Sequence, residues 1–160
     1  MAAGLSSAGP GPASAQDDEL EAMATALKDT TFTLQDGLKA SEREGQPISA
    51  QFEMEDGKLQ ISIYTTKDDD FSEVVADPKT GAVVKTEKIT DSDELNDAAD
   101  QKAAMAKAKT SLMAAADAAL KENSGFRAVS IFPDLRDGHA IAEVTLLQGT
   151  TAKKVTEKLD

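Results

Sequence analysis

The sequence contains no cysteine and no tryptophan, and its 160 residues include one histidine and one tyrosine. Without cysteine there is no disulfide framework, no thiolate zinc or iron–sulfur ligation and no thiol nucleophile. A single imidazole leaves the usual acid–base repertoire nearly empty. Basic residues are also scarce: 17 Lys and Arg stand against 29 Asp and Glu, a net charge of −12 that repels nucleic-acid phosphates and anionic headgroups. No stretch approaches the ~20 consecutive apolar residues that span a bilayer. Neither nucleic-acid binding nor membrane insertion is expected. Alanine makes up much of the apolar class, so large apolar side chains are few. The core must be thin, and the chain holds one domain or two small ones.

The opening residues Ala2 to Ala15 carry no charge and are almost all small, too little surface to bury for a fold. Residues 1–16 are expected to be a disordered tail. Ala13-Ser14-Ala15 precedes Gln16-Asp17-Asp18 in the small-x-small pattern that signal peptidases accept. The tail therefore reads as the remnant of an export signal, with a plain Ala/Ser/Pro linker as the other reading, and a periplasmic or secreted location follows from the first.

An internal period runs through the rest. Asp18-Glu19-Leu20 returns as Asp93-Glu94-Leu95, Thr33-Leu34 as Ser111-Leu112, and Asp56-Gly57-Lys58 as Asp137-Gly138-His139. The spacing divides the chain into two units, 17–89 and 90–160, the second ending before a fourth strand. In each unit, helical spacing comes first. Leu20, Met23, Ala24 and Leu27 share one helix face behind Asp17-Asp18-Glu19. Thr33 caps a second helix whose Leu34, Leu38 and Ser41 align, and Gly45-Gln46-Pro47 stops it. In the second unit two helices are expected between about 92 and 122, with one bent helix as the alternative. The period then falls to two. Ile48, Ala50, Phe52 and Met54 alternate with polar residues, Asp56-Gly57 turns the chain, and Leu59, Ile61 and Ile63 return. Strands over 71–76 and 82–86 complete a meander. The fold class is α+β: two repeated units, each with helices packed on an antiparallel β-meander. Under the offset that carries Asp56-Gly57 onto Asp137-Gly138, Ile141 and Leu147 fall on the outer face and predict that the other unit covers it. Pro133 predicts an edge or a bulge.

The order helix, Gly/Pro stop, strand, Asp-Gly turn, strand, acidic turn, strand, with Asp77-Pro78-Lys79-Thr80-Gly81-Ala82-Val83 at its end, resembles a PepSY domain. The likeness covers roughly residues 31–86; residues 110–160 match loosely, without the Asp-x-x-Thr-Gly ending. PepSY domains occur in propeptides of thermolysin-like metalloproteases and in exported bacterial proteins. The resemblance implies an exported module that binds or restrains a peptidase or another envelope protein held on a separate chain.

Candidate sites are weighed on their chemistry. Asp68, Asp69 and Asp70, with Glu73 and Asp77 beyond, form the densest carboxylate cluster and the one candidate for a hard cation, although the EF-hand pattern is not matched; a charged hairpin tip is the expected outcome. Glu53 and Glu55 share a strand face with Gln51, a spacing that suits paired glycosidase carboxylates but equally any wet strand face. His139 sits in an Asp-Gly turn whose counterpart in the first unit is Lys58, so a solvated turn is expected, since a triad would need a serine and an acid brought to it. Asp77, Thr80 and Gly81, the signature residues, read as turn-makers. No catalytic residue, cofactor or metal is assigned. Charge is uneven: residues 28–89 carry 8 basic and 13 acidic side chains, residues 109–160 carry 7 of each. The expected function is non-catalytic binding of a protein partner, a peptidase among the candidates, through strand edges or acidic surface; the alternative is a periplasmic binder of a small ligand or cation.

Overall fold

A computed structural model describes residues 12–160, with side chains from Asp17 onward. The element order is α1 (Pro12–Leu27), α2 (Leu34–Ser41), β1 (Gln46–Glu55), β2 (Lys58–Lys67), β3 (Asp70–Ala76), β4 (Val83–Lys88), α3 (Ser92–Lys107), α4 (Leu112–Glu122), β5 (Arg127–Arg136), β6 (His139–Gln148) and β7 (Thr151–Lys158). The helices pack on one seven-stranded antiparallel sheet of order β4-β3-β2-β1-β5-β6-β7. This is the α+β class expected.

Local chemistry accounts for the elements. The Thr33 hydroxyl accepts the Asp36 N–H while the Asp36 carboxylate accepts the Thr33 N–H, a capping box that starts α2. Asp91 and Ser111 cap α3 and α4 through their side-chain oxygens, each cap being worth roughly 0.5–2 kcal/mol. Ala108 to Ser111 separates those two helices, as the two-helix reading required. Leu34, Leu38 and Ser41 all turn inward from α2. Each leucine burial stabilises by about 1.5–3 kcal/mol. Gly37 lets α2 lie close on the sheet: a Cβ there would come within 2.8 Å of Ile61 Cδ1.

Two expectations are corrected at the start of the chain. Residues 12–16 are not tail but the first turns of α1, which begins at Pro12 instead of behind Asp17. Proline is tolerated in a first helical turn, where its missing N–H has no partner to lose, and Ala13 and Ala15 favour continuation. The Ala13-Ser14-Ala15 pattern therefore lies inside a helix; the rest of the expected tail, residues 1–11, lies outside the described residues.

The two halves correspond strand by strand under the offset read from the two Asp-Gly turns. β1 and β2 map onto β5 and β6 with identical limits, and the start of β3 maps onto the start of β7. The register irregularity between Pro47 and Ser49 returns between Ala128 and Ser130. Asp56 and Asp137 hold φ of 49° and 52°, and Asp68 and Gly149 hold 57° and 58°. At the junction β1 pairs with β5 only through Ala50 with Ile131 and Gln51 with Ser130. Pro133 lies past that ladder, on the side of β5 left unpaired by β1, where a missing N–H costs nothing.

One apolar cluster spans both halves, including Ile61, Ile63 and Phe52 from the first and Ile131, Val144 and Leu146 from the second. Two polar ties reinforce it. Arg127 of β5 donates to the carbonyls of Leu27 and Thr30 at 2.9 and 3.0 Å, closing the end of α1, and Gln35 of α2 donates to Asp117 of α4 at 2.9 Å.

The sheet's faces are unequal. Ile61 and Ile63 meet α2, so Gln60, Ser62 and Tyr64, which alternate with them, face the other way. There α3 crosses β1, β5 and β6, and its Glu94 reaches Tyr64. Ile141 is buried on this outer side. The element over it is α3, which belongs to Ile141's own half, not the other unit as expected. Leu147 joins the apolar cluster shared by both halves and lies beside Ala24 and Leu27 of the first.

Candidate functional site

The outer face of the first half carries an ordered row of carboxylates. Alternation along β1, β2 and β3 places Gln51 and Glu53, Gln60, Ser62 and Tyr64, and Glu73 on one side, paired as Gln51 with Ser62, Glu53 with Gln60 and Tyr64 with Glu73. Each carboxylate accepts from a neutral donor. Gln60 Nε2 donates to Glu53 Oε1 at 2.6 Å, Ser62 Oγ to Glu73 Oε1 at 2.6 Å, and Tyr64 Oη to Glu94 Oε1 at 2.9 Å. Gln51 Nε2 adds a weaker contact to Glu53 Oε2 at 3.5 Å. These donors orient the acids without neutralising them. Partial burial pushes the Glu53 carboxyl above its ordinary range; the Gln60 bond opposes this, and the charges of Glu73 and Glu55 add to it. The Tyr64 phenol is pushed up by burial and by its bond to Glu94.

Chemically, such a row offers fixed acceptors with free lone pairs. Guanidinium and ammonium groups are the matching donors. Glu53 and Glu55 do not converge on a common cleft with an opposed acid: Glu53 is engaged by Gln60 and Glu55 is exposed at the turn.

The Asp68 to Asp70 cluster is a hairpin tip. Asp70 pairs with Lys88 at 3.1 Å, and Lys102 lies 3.9 Å from Asp69 while donating to the Asp68 carbonyl. Glu73 sits along β3 on the outer face and Asp77 beyond the strand's far end, roughly 20 Å away at ~3.3 Å per residue, so neither joins the tip. Among the described residues no group of three or more Asp, Glu, His or Cys side chains is arranged to hold a metal ion.

The signature turn is built from its own residues. Asp77 Oδ1 accepts the Lys79 N–H at 2.8 Å, the Asp77 carbonyl accepts the Gly81 N–H at 2.7 Å, and Thr80 Oγ1 accepts the Ala82 N–H at 3.3 Å. Gly81 holds φ of 73°, a left-handed value that favours glycine. The turn also bounds a cleft of about 640 Å³ between the Asp29-Thr30 loop, the Glu55–Lys58 turn, Pro78, Lys79 and the exposed Val84. Thr30 Oγ1 donates to the Pro78 carbonyl at 2.7 Å and ties two of these walls together.

His139 is exposed, and its Nδ1 lies 2.8 Å from Asp160 Oδ2, which also accepts the Ala140 N–H. The imidazole bond, with the Ala140 N–H adding, holds the Asp160 carboxyl below its ordinary range. Asp160 is a partner that spacing did not reveal, and no serine completes a triad with this pair among the described hydrogen bonds. The donors Gln60, Ser62 and Tyr64 were missed as site residues as well. Their signal was present in the strand alternation opposite Ile61 and Ile63.

No protein-family model matches the chain, and no curated protein is significantly similar to it. Among solved structures it is similar to a Clostridium difficile 630 protein described as a "putative lipoprotein", with a TM-score of 0.37 and 20% identity over 74% of this chain and 87% of that one. At that level the likeness bears on neither mechanism nor partner. No helix among the described residues is long and apolar enough to cross a membrane.

Proposed function

We propose that the chain is a non-catalytic, exported binding module of two PepSY-like units, which engages a basic protein surface through the outer face of its first half. The observation that carries this is the pair Glu53 and Glu73 with Glu94 of α3 beside them, each accepting from a neutral donor rather than from a cation. In the second half Glu143, at the place of Ser62, is instead paired with Arg136 at 3.3 Å. The pairing of Ala50 with Ile131, its own counterpart in the second half, supports the tandem reading, because a two-fold relation between units requires such a meeting at the axis. By the PepSY resemblance the partner is an exported peptidase. Incubation with secreted metalloproteases of the source organism, with inhibition and co-purification as readouts, tests the reading. Loss of both in the Glu53→Gln/Glu73→Gln variant supports it; full peptidase activity with no retained partner contradicts it.

A second reading rests on the 640 Å³ cleft beside the signature turn, which is large enough for a small ligand. Binding there raises the melting temperature by the mass-action term RT ln(1 + [L]/Kd). A flat thermal response to a panel of metabolites, peptides and divalent cations removes it.

A further inference from the structure

The sheet ends in two unpaired edges of different character. At one end β4 is six residues long, is irregular at Val84 where it meets β3, and pairs its own Lys85 with Glu87 at 2.9 Å. A bulge and an internally matched charge pair both blunt an edge. At the other end β7 is eight residues long and stays in unbroken register with β6 from Thr151 to Lys158. The Leu159 N–H donates to the Ala140 carbonyl at 2.9 Å, which sets the alternation of the ladder. Lys153, Val155 and Glu157 turn their backbone groups to β6, and those of Ala152, Lys154, Thr156 and Lys158 turn outward.

Among the described residues the charges of β7 find no opposite. Lys153 Nζ donates to the neutral Asn123 Oδ1 at 2.6 Å, and among the described residues no ion pair forms on this strand. Glu157 lies beside Glu122; burial first, and then that neighbouring carboxylate, push its carboxyl above the ordinary range. An unpaired lysine and a crowded glutamate thus flank Val155 on one face of an edge strand.

We propose that β7 is the interface of a homodimer, in which β7 of a second copy pairs with it antiparallel about a two-fold axis at Val155. The two seven-stranded sheets become one. In this register Lys153 stands opposite the partner's Glu157, Val155 opposite its own copy, Lys154 opposite the partner's Thr156 and Ala152 opposite the partner's Lys158. Sliding by two residues, the step that preserves the outward hydrogen bonds, brings Lys154 against itself in one direction and against the partner's Lys158 in the other. Like charges directly opposite are destabilising, so the register centred on Val155 is selected over its two neighbours. Edge lysines commonly keep strands apart; here the sign reverses across Val155, from Lys153 to Glu157, so that this face of the strand complements itself.

Sedimentation equilibrium of the full chain over a concentration series tests the proposal, and we expect a species of twice the chain mass. Thr156→Pro removes an outward N–H that β6 does not use and should abolish the dimer with the fold retained by circular dichroism. Glu157→Lys should weaken dimerisation by roughly ten-fold or more, while the monomer's melting temperature holds or rises as the Glu122 contact is relieved. The exchange Lys153→Glu/Glu157→Lys restores opposite charges across the axis and should restore the dimer. A monomeric wild-type chain, a dimer indifferent to Thr156→Pro, or failure of the charge exchange to rescue overturns the assignment.

Discussion

The two halves of this molecule share strand limits, turn geometry and even a register irregularity, yet they present different chemistry on their outer sides. In the first, Gln60, Tyr64 and Glu73 build a polar, acidic surface; in the second, Ile141, Thr145 and Lys154 occupy the same places. Burial of Ile141 and the crossing of β5 and β6 by α3 close the second half. In the first half α3 lies over β1, and Glu53 and Glu73 remain partly exposed. The contrast shows that a backbone pattern can be held constant while a few outward positions decide which half is scaffold and which is surface for recognition.

The sharpest way to break this comparison is to ask whether the halves are separable at all. Leu38 and Leu146 sit in one apolar cluster drawn from both halves. We expect Leu38→Ala and Leu146→Ala to cost about 2–5 kcal/mol each. In urea unfolding followed by circular dichroism and by a half-specific probe, each should shift one shared transition. Two transitions, with each variant moving only its own, would make the halves independent domains. Next in size is Arg127, whose guanidinium in the second half closes the end of α1 in the first. Arg127→Met should cost roughly 1.5–3 kcal/mol, the range for hydrogen bonds to a charged group, and the cost should appear in the same transition.

The smallest effect concerns the acidic face. The Glu53 carboxyl is raised in the fold, chiefly by burial, so the native state holds its proton more tightly than the unfolded chain. Stability from this group is present below the unfolded value near 4.5 and falls as pH rises through the folded value. Glu53→Gln should flatten that decline in a pH series of melting temperatures, without the reverse sign. The matched variant Asp134→Asn, at the equivalent position of the second half, should leave the decline intact.

Much of this architecture was legible in the residues. The period-two alternation from Ile48 to Ile63, the Asp56-Gly57 and Asp137-Gly138 turns and the Thr33 cap are local devices, and local devices survive reading one residue at a time. What escaped was long-range. Alternation shows that Ile141 is on the outer side but not that α3 crosses over it. Leu147 lies beside Ala24 and Leu27 of α1, a contact between the halves that alternation along β6 does not show. Absent charge and small side chains argued against structure up to residue 16, yet the helix starts at Pro12, in a first turn where proline is tolerated. At the candidate site, Glu53 was read as a wet-face residue and its strand position was correct. Its donor Gln60, and the donors Ser62 and Tyr64 that serve Glu73 and Glu94, come from β2 and needed the register to be placed.

The most direct measurement is a matched capture experiment on the two outer faces. Wild-type chain, the Glu53→Gln/Glu73→Gln variant and the Asp134→Asn/Glu143→Gln variant are immobilised at equal density. Each is then offered the exported proteins of the source organism at low and moderate salt. We expect the wild type and the second-half variant to retain the same basic protein, less of it as salt increases, and the first-half variant to lose it. Equal retention by all three, or loss confined to the second-half variant, would contradict an acidic recognition surface on the first half.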